Sequence, residues 1–282
     1  MAREGQIETK QVTESLNTQF KLLVWSASDT GLRRPKNEDS TLALHFTTCF
    51  GATRINARIF AVADGMGGNQ AGDVASRSAL ATLASFVPKR LSEIVNHDAD
   101  THLKLLEDAF EEANRTILEA HTAAGREGMG TTLTVAFTVD RILYVGNVGD
   151  SRCYLLRDGQ ITRATRDDSV VQEMIEAGQI TEQDARIHPR RNEVTNALGV
   201  FGPEQFKARI GYVGDLLDYD YILLSSDGLH GVVEDHEIGR ILQTRKDVAS
   251  SAKALVALAM ERGGPDNISV VLSRIVKAPQ KK

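Results

Sequence analysis

Strands joined by very short turns are the feature of this sequence that most constrains its fold. Three runs rich in apolar and β-branched side chains predict strands, at residues 131–139, 142–148 and 152–156. The pairs Asp140-Arg141 and Asp158-Gly159 lie between and after these runs and suit two-residue hairpin turns. Strands joined in this way pair antiparallel, because a parallel pair needs a much longer crossover connection.

The remaining periodic segments place strands and helices in separate blocks. Further apolar runs predict strands at residues 21–28, 40–49, 58–63, 221–225 and 268–272. Helical spacing of apolar side chains predicts helices at residues 71–87, 103–120 and 248–260. Because the long helices do not alternate singly with strands, the pattern predicts an α+β fold in which helices cover antiparallel sheets, not a doubly wound parallel sheet.

One domain with polar ends is the simplest organisation for the 282 residues, since the six prolines are scattered and no Pro/Gly/Ser-rich linker occurs. We expect a flexible N-terminal arm at residues 1–20, a single domain at 21–275 and a C-terminal tail at 276–282. Within the domain, Ser169 followed by Gln172 predicts a capping box that opens a short helix. The polar stretch that follows is expected to form a surface excursion beside the ligand site.

Composition excludes several classes of protein. A net charge of −5 disfavours nucleic-acid binding, which needs a basic stripe. No apolar run approaches the roughly 20 residues of a spanning helix, so no membrane association is expected. The polar, acid-containing N-terminus predicts neither a signal peptide nor a transit peptide. The two cysteines, Cys49 and Cys153, predict no disulfide framework, which favours a reducing cytoplasm.

Acidic residues beside glycine recur where apolar strands end. The members of this set are Asp64-Gly65, Gly149-Asp150, Asp227-Gly228 and Asp266 after Gly263-Gly264-Pro265. Glu38 and Asp39, near the start, also adjoin a predicted strand. Any single Asp-Gly pair is explained by a plain turn. Several carboxylates on rigid strand ends are instead typical of a site for a hard divalent cation, and all-oxygen ligation favours Mg²⁺ or Mn²⁺.

Other catalytic chemistries have weaker support in the sequence. Neither cysteine lies in a phosphate-binding loop with a nearby arginine, and the P-loop and GxSxG patterns are absent. His188 precedes Pro189 and is expected to be a helix-end or surface residue. The absence of a side-chain nucleophile points to a water activated by metal ions.

The ordered set of motifs resembles the metal-dependent Ser/Thr protein phosphatases of the PPM family, also called type 2C, in their bacterial form. The matching segments are SDTGLRRPKNEDS, VADGMGGNQAGDVAS, GMGTTLTV, VGNVGDSRCYLLRDGQI, LLSSDGLHGVV and GGPDNISVVL. The resemblance implies an α-β-β-α sandwich of two antiparallel sheets with two metal ions in a cleft at one end. It also implies that residues from about 168 to 205 form the flap of the family.

The resemblance also assigns roles to individual residues. It implies that Asp64 bridges the two metal ions, that the Gly65 carbonyl binds one of them, and that Asp227 and Asp266 bind the other. Glu38 and Asp39 are expected to act largely through metal-bound waters.

The resemblance gives a role to two further residues and leaves two departures from the family pattern. Arg34 is expected to clamp the substrate phosphate, and Asp150 is expected to share a weaker third ion with Asp227. A purely structural role for Asp150, either pairing with Arg152 or capping a turn, remains an alternative. The sequence departs from the family at Met66, where the eukaryotic branch has a histidine, and at Asp168, where many bacterial relatives have one.

The resemblance and the residues together predict a cytoplasmic, Mn²⁺- or Mg²⁺-dependent phosphatase for phosphoserine and phosphothreonine in proteins, with Arg34, Asp64 and Asp227 in the catalytic machinery. The expected partners are phosphoproteins and a Hanks-type Ser/Thr kinase, and the expected state is a monomer. A catalytically weak scaffold that binds phosphoproteins is one alternative. A small-molecule phosphatase or phosphodiesterase that uses the same metal ions is the other.

Overall fold

The computed structural model describes residues 20–50, 53–67, 71–95, 98–124, 128–202, 205–245 and 247–277. The strands are β1 (Phe20–Asp29), β2 (Ser40–Phe50), β3 (Thr53–Ala63), β4 (Gly65–Met66), β5 (Gly130–Thr131), β6 (Leu133–Val139), β7 (Ile142–Val148), β8 (Arg152–Arg157), β9 (Gln160–Arg163), β10 (Arg209–Asp215), β11 (Tyr221–Ser225) and β12 (Ile268–Lys277). The helices are α1 (Gly72–Phe86), α2 (Leu91–Val95), α3 (Ala99–Ala124), α4 (Val170–Glu176), α5 (Glu182–Ile187), α6 (Asp227–His230), α7 (Asp235–Thr244) and α8 (Val248–Glu261).

Two five-stranded antiparallel sheets form the centre of the molecule. The first has the strand order β1-β12-β11-β8-β9 and the second β10-β7-β6-β3-β2. Apolar side chains of both sheets, among them Phe60 and Ile222, pack together between the sheets. Helices α1 and α3 cover the outer face of the second sheet, and α7 and α8 cover the outer face of the first. The predicted α+β sandwich of two antiparallel sheets flanked by helices is confirmed.

The hairpin turns form where the sequence predicts them. Val139 pairs with Ile142, so the connection between β6 and β7 has two residues. Asp158 and Gly159 connect β8 to β9 with φ angles of 49° and 82°. Two central residues with positive φ match the twist of the flanking strands, and glycine takes this conformation at little cost.

The elements that the sequence did not predict include β9, β10 and α7. Strand β10 contains two glycines, has mostly exposed or half-buried side chains, and carries a bulge between Tyr212 and Gly214, so it lacks the apolar pattern of a core strand. Strand β9 has only four residues. Helix α7 is mostly polar and begins at a capping box formed by Glu234 and Glu237.

The predicted ends of the domain shift slightly. Phe20 is buried and begins β1, so it does not belong to the predicted arm, and β12 continues to Lys277 inside the predicted tail. The rest of the arm, residues 1–19, and the rest of the tail, residues 278–282, lie outside the described residues. No helix in the described part of the chain is long and apolar enough to cross a membrane.

The polar excursion contains two short helices, α4 and α5. The predicted capping box at α4 is half formed, because Ser169 Oγ accepts from the Gln172 amide at 3.3 Å while the Gln172 side chain contacts Arg163 and Glu176 instead. His188 is the C-cap of α5, in agreement with the prediction.

Candidate metal centre

Five aspartates converge at one end of the sandwich, where strands begin or end. Asp39 precedes β2, Asp64 follows β3, Asp150 follows β7, Asp227 follows β11 and Asp266 precedes β12. The charges of the other four carboxylates all act on Asp64. The antiparallel pairing explains this convergence, because the end of one strand lies beside the beginning of its neighbour, as at the β3–β2 and β11–β12 pairs.

Burial raises the pKa values of these acids, and their mutual repulsion adds to the effect. The pKa of Asp39 rises to about 7 and that of Asp227 to about 6. Burial and neighbouring carboxylates raise the pKa values of Asp64 and Asp150 well above the ordinary range. The crowding of carboxylates in a buried site favours the binding of a cation, which would let them ionise together.

Two buried carboxylate oxygens without hydrogen-bond partners also favour cation binding at this site. Asp39 Oδ1 and Asp227 Oδ1 are both buried without a hydrogen-bond partner, and a buried carboxylate oxygen in that state is costly. Within the described ranges, no group of three or more His, Cys, Asp or Glu side chains is arranged closely enough to hold a metal ion. The donors that converge here are oxygens, which fit a hard cation, although the side chains do not form a complete ligand set.

Gly65 brings the backbone close to Glu38 beside this cluster. A Cβ on Gly65 would lie 2.2 Å from the carbonyl oxygen of Gly72 and 2.7 Å from that of Glu38, so a side chain has no room. The Glu38 side chain reaches Gly72, since a Cβ there would lie 3.0 Å from Glu38 Cδ. Burial, and next the charge of Asp73, raise the pKa of Glu38. The structure therefore places Glu38 and Gly65 next to Asp64.

Arg34 lies at the rim of the cluster. Its Nη2 atom donates to Asp266 Oδ2 at 2.6 Å, and its side chain is 51% exposed. This hydrogen bond raises the pKa of Arg34, and the charges of Asp266, Asp64 and Asp227 reinforce the effect. The predicted phosphate clamp thus reaches the site, where it is bound to a predicted metal ligand.

Asp150 does not form the ion pair that the sequence left open. Arg152 instead binds Asp167 with N···O distances of 2.7 and 3.0 Å. Asp150 lies in the wall of a cleft of about 660 Å³ that also includes Asp227, His230 and residues of α4 and α5. The cleft connects the aspartate cluster to the polar excursion, which supports the expectation that this segment lies beside the ligand site.

Asn267 is a structural determinant of the site that the sequence patterns do not identify. Its Oδ1 accepts from the amide of Glu38 at 2.8 Å, and its Nδ2 donates to the carbonyls of Thr30 and Lys36, each at 2.9 Å. One side chain thereby holds the loop that carries Arg34. Its position directly after Asp266, before a buried strand, is the signal that could have identified it.

Ser226 and His230 also escape sequence reasoning. Ser226 Oγ donates to Asp39 Oδ2 at 2.7 Å. His230 Nδ1 lies 3.0 Å from Ser225 Oγ. Burial, followed by the charges of nearby arginines, lowers the pKa of His230 well below its ordinary value. His230 is therefore a buried residue that lies in the cleft wall together with Asp150.

Comparisons with known proteins agree with this architecture. The family model described as protein phosphatase 2C matches residues 26–201. The serine/threonine protein phosphatase PstP of Mycobacterium tuberculosis is 39% identical over 254 residues, which cover 88% of this chain and 44% of that protein. The serine/threonine phosphatase stp of Listeria welshimeri is 35% identical over 246 residues, covering 87% of this chain and 92% of that protein.

A solved structure of the catalytic domain of the phosphatase PstP in complex with two manganese ions superimposes with a TM-score of 0.75. It is 35% identical in sequence, and the match covers 91% of this chain and 99% of that one. The chain studied here spans less than half the length of the M. tuberculosis relative that it matches. On the extent of the family match and of these identities, the chain belongs to the protein phosphatase 2C family.

Proposed function

We propose that this chain is a metal-dependent phosphatase that hydrolyses phosphoserine and phosphothreonine in proteins. The observation that carries the proposal is the buried aspartate cluster, with its unpartnered oxygens on Asp39 and Asp227, beside an exposed guanidinium. Relatives named as serine/threonine phosphatases, similar over most of this chain, support the choice of substrate.

The proposed ligands divide into direct and indirect groups. Asp64, Asp227 and Asp266, with the Gly65 carbonyl, would hold Mn²⁺ or Mg²⁺ directly, and Glu38 and Asp39 would act through bound waters. Such ions, when bound, acidify a water and stabilise the negative charge of phosphoryl transfer. The solved structure of the PstP catalytic domain in complex with two manganese ions supports this choice of metal.

Arg34 is proposed to hold the phosphate group. A guanidinium can donate two parallel hydrogen bonds to phosphate oxygens, and half of this side chain is exposed to solvent. Because Arg34 is held beside Asp266, a phosphate bound to it would lie against the proposed metal ligands. The residue would therefore orient the substrate and would add to the affinity for it.

We propose that a water, and not a histidine, protonates the leaving oxygen. Met66 occupies the position of the eukaryotic histidine, and Nδ1 of the buried His230 lies 3.0 Å from the Ser225 hydroxyl. We assign the orientation of a proton-donating water to Asp150, whose side chain lines the cleft beside Asp227.

The cleft is proposed to bind the peptide that carries the phosphate. Residues 168–205 would form its flap within one domain at about 21–275, since α4 and α5 supply part of the cleft wall. We further propose a cytoplasmic monomer that opposes a Hanks-type Ser/Thr kinase. A kinase is proposed because phosphoserine and phosphothreonine require one to form them. The type of kinase rests on the family alone.

Phosphate release from a phosphothreonine peptide tests the proposal. We expect turnover with Mn²⁺ present, complete loss on addition of a chelator, and recovery when Mn²⁺ is returned in excess. Asp220→Ala is a matched control, since Asp220 is buried and paired with Arg157 at 2.6 Å but lies at the opposite end of β11 from Asp227. Binding of the phosphopeptide without hydrolysis would favour the scaffold. Hydrolysis confined to small phosphate esters would favour a small-molecule phosphatase.

A further inference from the structure

The Asp168 carboxylate joins three separate segments of the chain. It is 2% exposed, and its Oδ1 accepts from Arg209 Nε at 2.8 Å. Its Oδ2 accepts from Asn196 Nδ2 at 3.1 Å and from the backbone amide of Gly149 at 3.3 Å. One buried side chain therefore connects β10, the far end of the excursion and the loop that carries Asp150.

Backbone hydrogen bonds at Asp168 repeat these connections. The Asp168 amide donates to the Gly149 carbonyl at 2.8 Å, and the Thr195 amide donates to the Asp168 carbonyl at 2.8 Å. Val170 donates to the Glu193 carbonyl at 2.9 Å. The two ends of the excursion, near residues 168–170 and 193–196, thus meet at Asp168.

The loop on the other side of this junction has little freedom of its own. Gly149 has a φ angle of 94°, and a Cβ there would lie 2.6 Å from Thr132 Cγ2. Thr132 in turn accepts from the Asp64 amide at 2.9 Å through its hydroxyl. The Gly149 amide, which donates to Asp168, therefore belongs to a tight turn. This turn carries Asp150 and packs against Thr132, which binds the Asp64 amide.

The donors around Asp168 require a carboxylate. Its two oxygens offer about four lone pairs, whereas a neutral histidine, the residue expected here in many bacterial relatives, offers one acceptor nitrogen. Arg209, Asn196 and the Gly149 amide could not all be satisfied by such a ring. Leaving the buried Gly149 amide unpaired destabilises the native contacts, so the junction depends on this side chain.

We propose that Asp168 is a positioning residue that fastens the base of the flap to the Gly149-Asp150 turn, so that flap and turn keep one arrangement over the cleft. The flap cannot shift at its base without releasing the Gly149 amide or the side chain of Asn196. The mechanical link stands on the contacts of Asp168, and its consequence for turnover rests on the proposed function of Asp150.

Amide hydrogen exchange of the full chain tests the link directly. In Asp168→Ala we expect exchange at Gly149, Val170 and Thr195 to rise together by about tenfold or more, because their hydrogen bonds lose a shared anchor. Asp220→Ala removes a similarly buried aspartate that binds Arg157 and the Leu217 amide, and it should leave these three amides protected. Faster exchange on one side of the junction alone, or on neither side, would overturn the proposal.

A conservative variant keeps the test decisive if the alanine variant unfolds. Asp168→Asn retains one oxygen for the Gly149 amide but removes the charge beside Arg209, so both sides should loosen together by a smaller factor. A change confined to the flap in this variant would also refute the link.

Measurements of metal binding and of kinetics then show how the loosened junction affects the site at Asp150. In Asp168→Asn the tight Mn²⁺ ions should remain, while the affinity of the weaker ion at Asp150 falls and kcat on a phosphopeptide falls more than KM rises. Unchanged weak-ion affinity and kcat, with paired loosening by exchange, would retain the link and reject the role of Asp150 in turnover.

Discussion

The guanidinium of Arg34 binds the carboxylate of Asp266, with 2.6 Å between Nη2 and Oδ2, across 232 positions of the chain. Gly31 makes this approach possible, because its φ angle is 75° and a Cβ there would lie 2.1 Å from the Asp266 carbonyl oxygen. The Leu32 amide also donates to the Gly264 carbonyl at 2.8 Å. The proposed phosphate clamp is therefore built onto the segment that supplies a proposed metal ligand.

Replacing Arg34 should mainly weaken substrate binding. Arg34→Ala removes a charge-assisted, bidentate contact to phosphate, so we expect KM to rise by roughly tenfold to a hundredfold with a smaller loss of kcat. Arg33→Ala is the matched control, since Arg33 is an exposed neighbour, and it should leave KM nearly unchanged. A loss of kcat by orders of magnitude at constant KM would instead make Arg34 a group that acts only in the transition state.

Replacing Asp150 should lower the activity on phosphopeptides more than the activity on aryl phosphates. Asp150→Ala should keep the tightly bound Mn²⁺ ions, as measured by calorimetry, but lose most activity on phosphopeptides. Aryl phosphates should be affected less, because their leaving groups need less protonation. Asp218→Ala, which removes an aspartate paired with Arg141, should leave both activities intact. Equal losses on the two substrate types, or no loss on either, would contradict the proposed role.

Replacing Asn267 should cost stability and substrate affinity together. Asn267→Ala removes the acceptor for Glu38 and the donors to Thr30 and Lys36. With about 1 kcal/mol for each hydrogen bond, the free energy of unfolding should fall by roughly 2–4 kcal/mol in urea denaturation. KM should also rise, since the loop of Arg34 loses its anchor. A stable variant with unchanged KM would show that the loop is held by other contacts.

The stability of the metal-free chain should depend on pH through the aspartate cluster. Burial raises the pKa of Asp39 to about 7 and that of Asp227 to about 6, so between about pH 4 and pH 7 the folded state binds more protons than the unfolded state. With chelator present, these groups should lower the free energy of unfolding as pH rises through that window, by an amount on the order of a few kcal/mol.

The comparison of wild type with Asp39→Asn isolates this effect in urea denaturation. Buried His230, whose pKa is lowered, acts in the opposite direction over part of the same window. The variant lacks the titrating group of Asp39 but keeps His230, so its stability should decline less with pH. Identical slopes for the two proteins would refute the assignment. Mn²⁺ should restore stability most strongly at the upper end of the window, where the carboxylates must ionise.

The sandwich could be predicted from the sequence because its core strands are apolar and its hairpins are marked by Asp140 and Asp158. Strand β10 could not, since its edge position leaves Tyr212 exposed and its pairing to β7 depends on backbone contacts and a bulge. A periodic apolar pattern marks strands whose side chains are buried. The side chains of β10 are little buried, and the strand is held by backbone hydrogen bonds to β7.

The aspartates of the site were predictable because each follows or precedes an apolar strand, and Asp64, Asp150 and Asp227 are also next to a glycine. The supports around them were not, because Asn267, Ser226 and Asp168 act through hydrogen bonds to distant segments. Two donors to the Asp168 carboxylate, for example, lie 19 and 41 positions away at Gly149 and Arg209. Apart from Asn267, which directly follows Asp266 before a buried strand, these residues have no local sequence signal for such contacts.

The central claim is that the aspartate cluster binds two metal ions. Calorimetric titration of Mn²⁺ into the chelator-treated chain tests it most directly. Wild type and Asp220→Ala should each bind two ions tightly, the number present in the solved structure of the PstP catalytic domain. Asp64→Asn should lose tight binding of both ions while remaining folded, because the proposed bridging carboxylate is gone. Tight binding of two ions by Asp64→Asn, or no tight binding by wild type, would contradict the account.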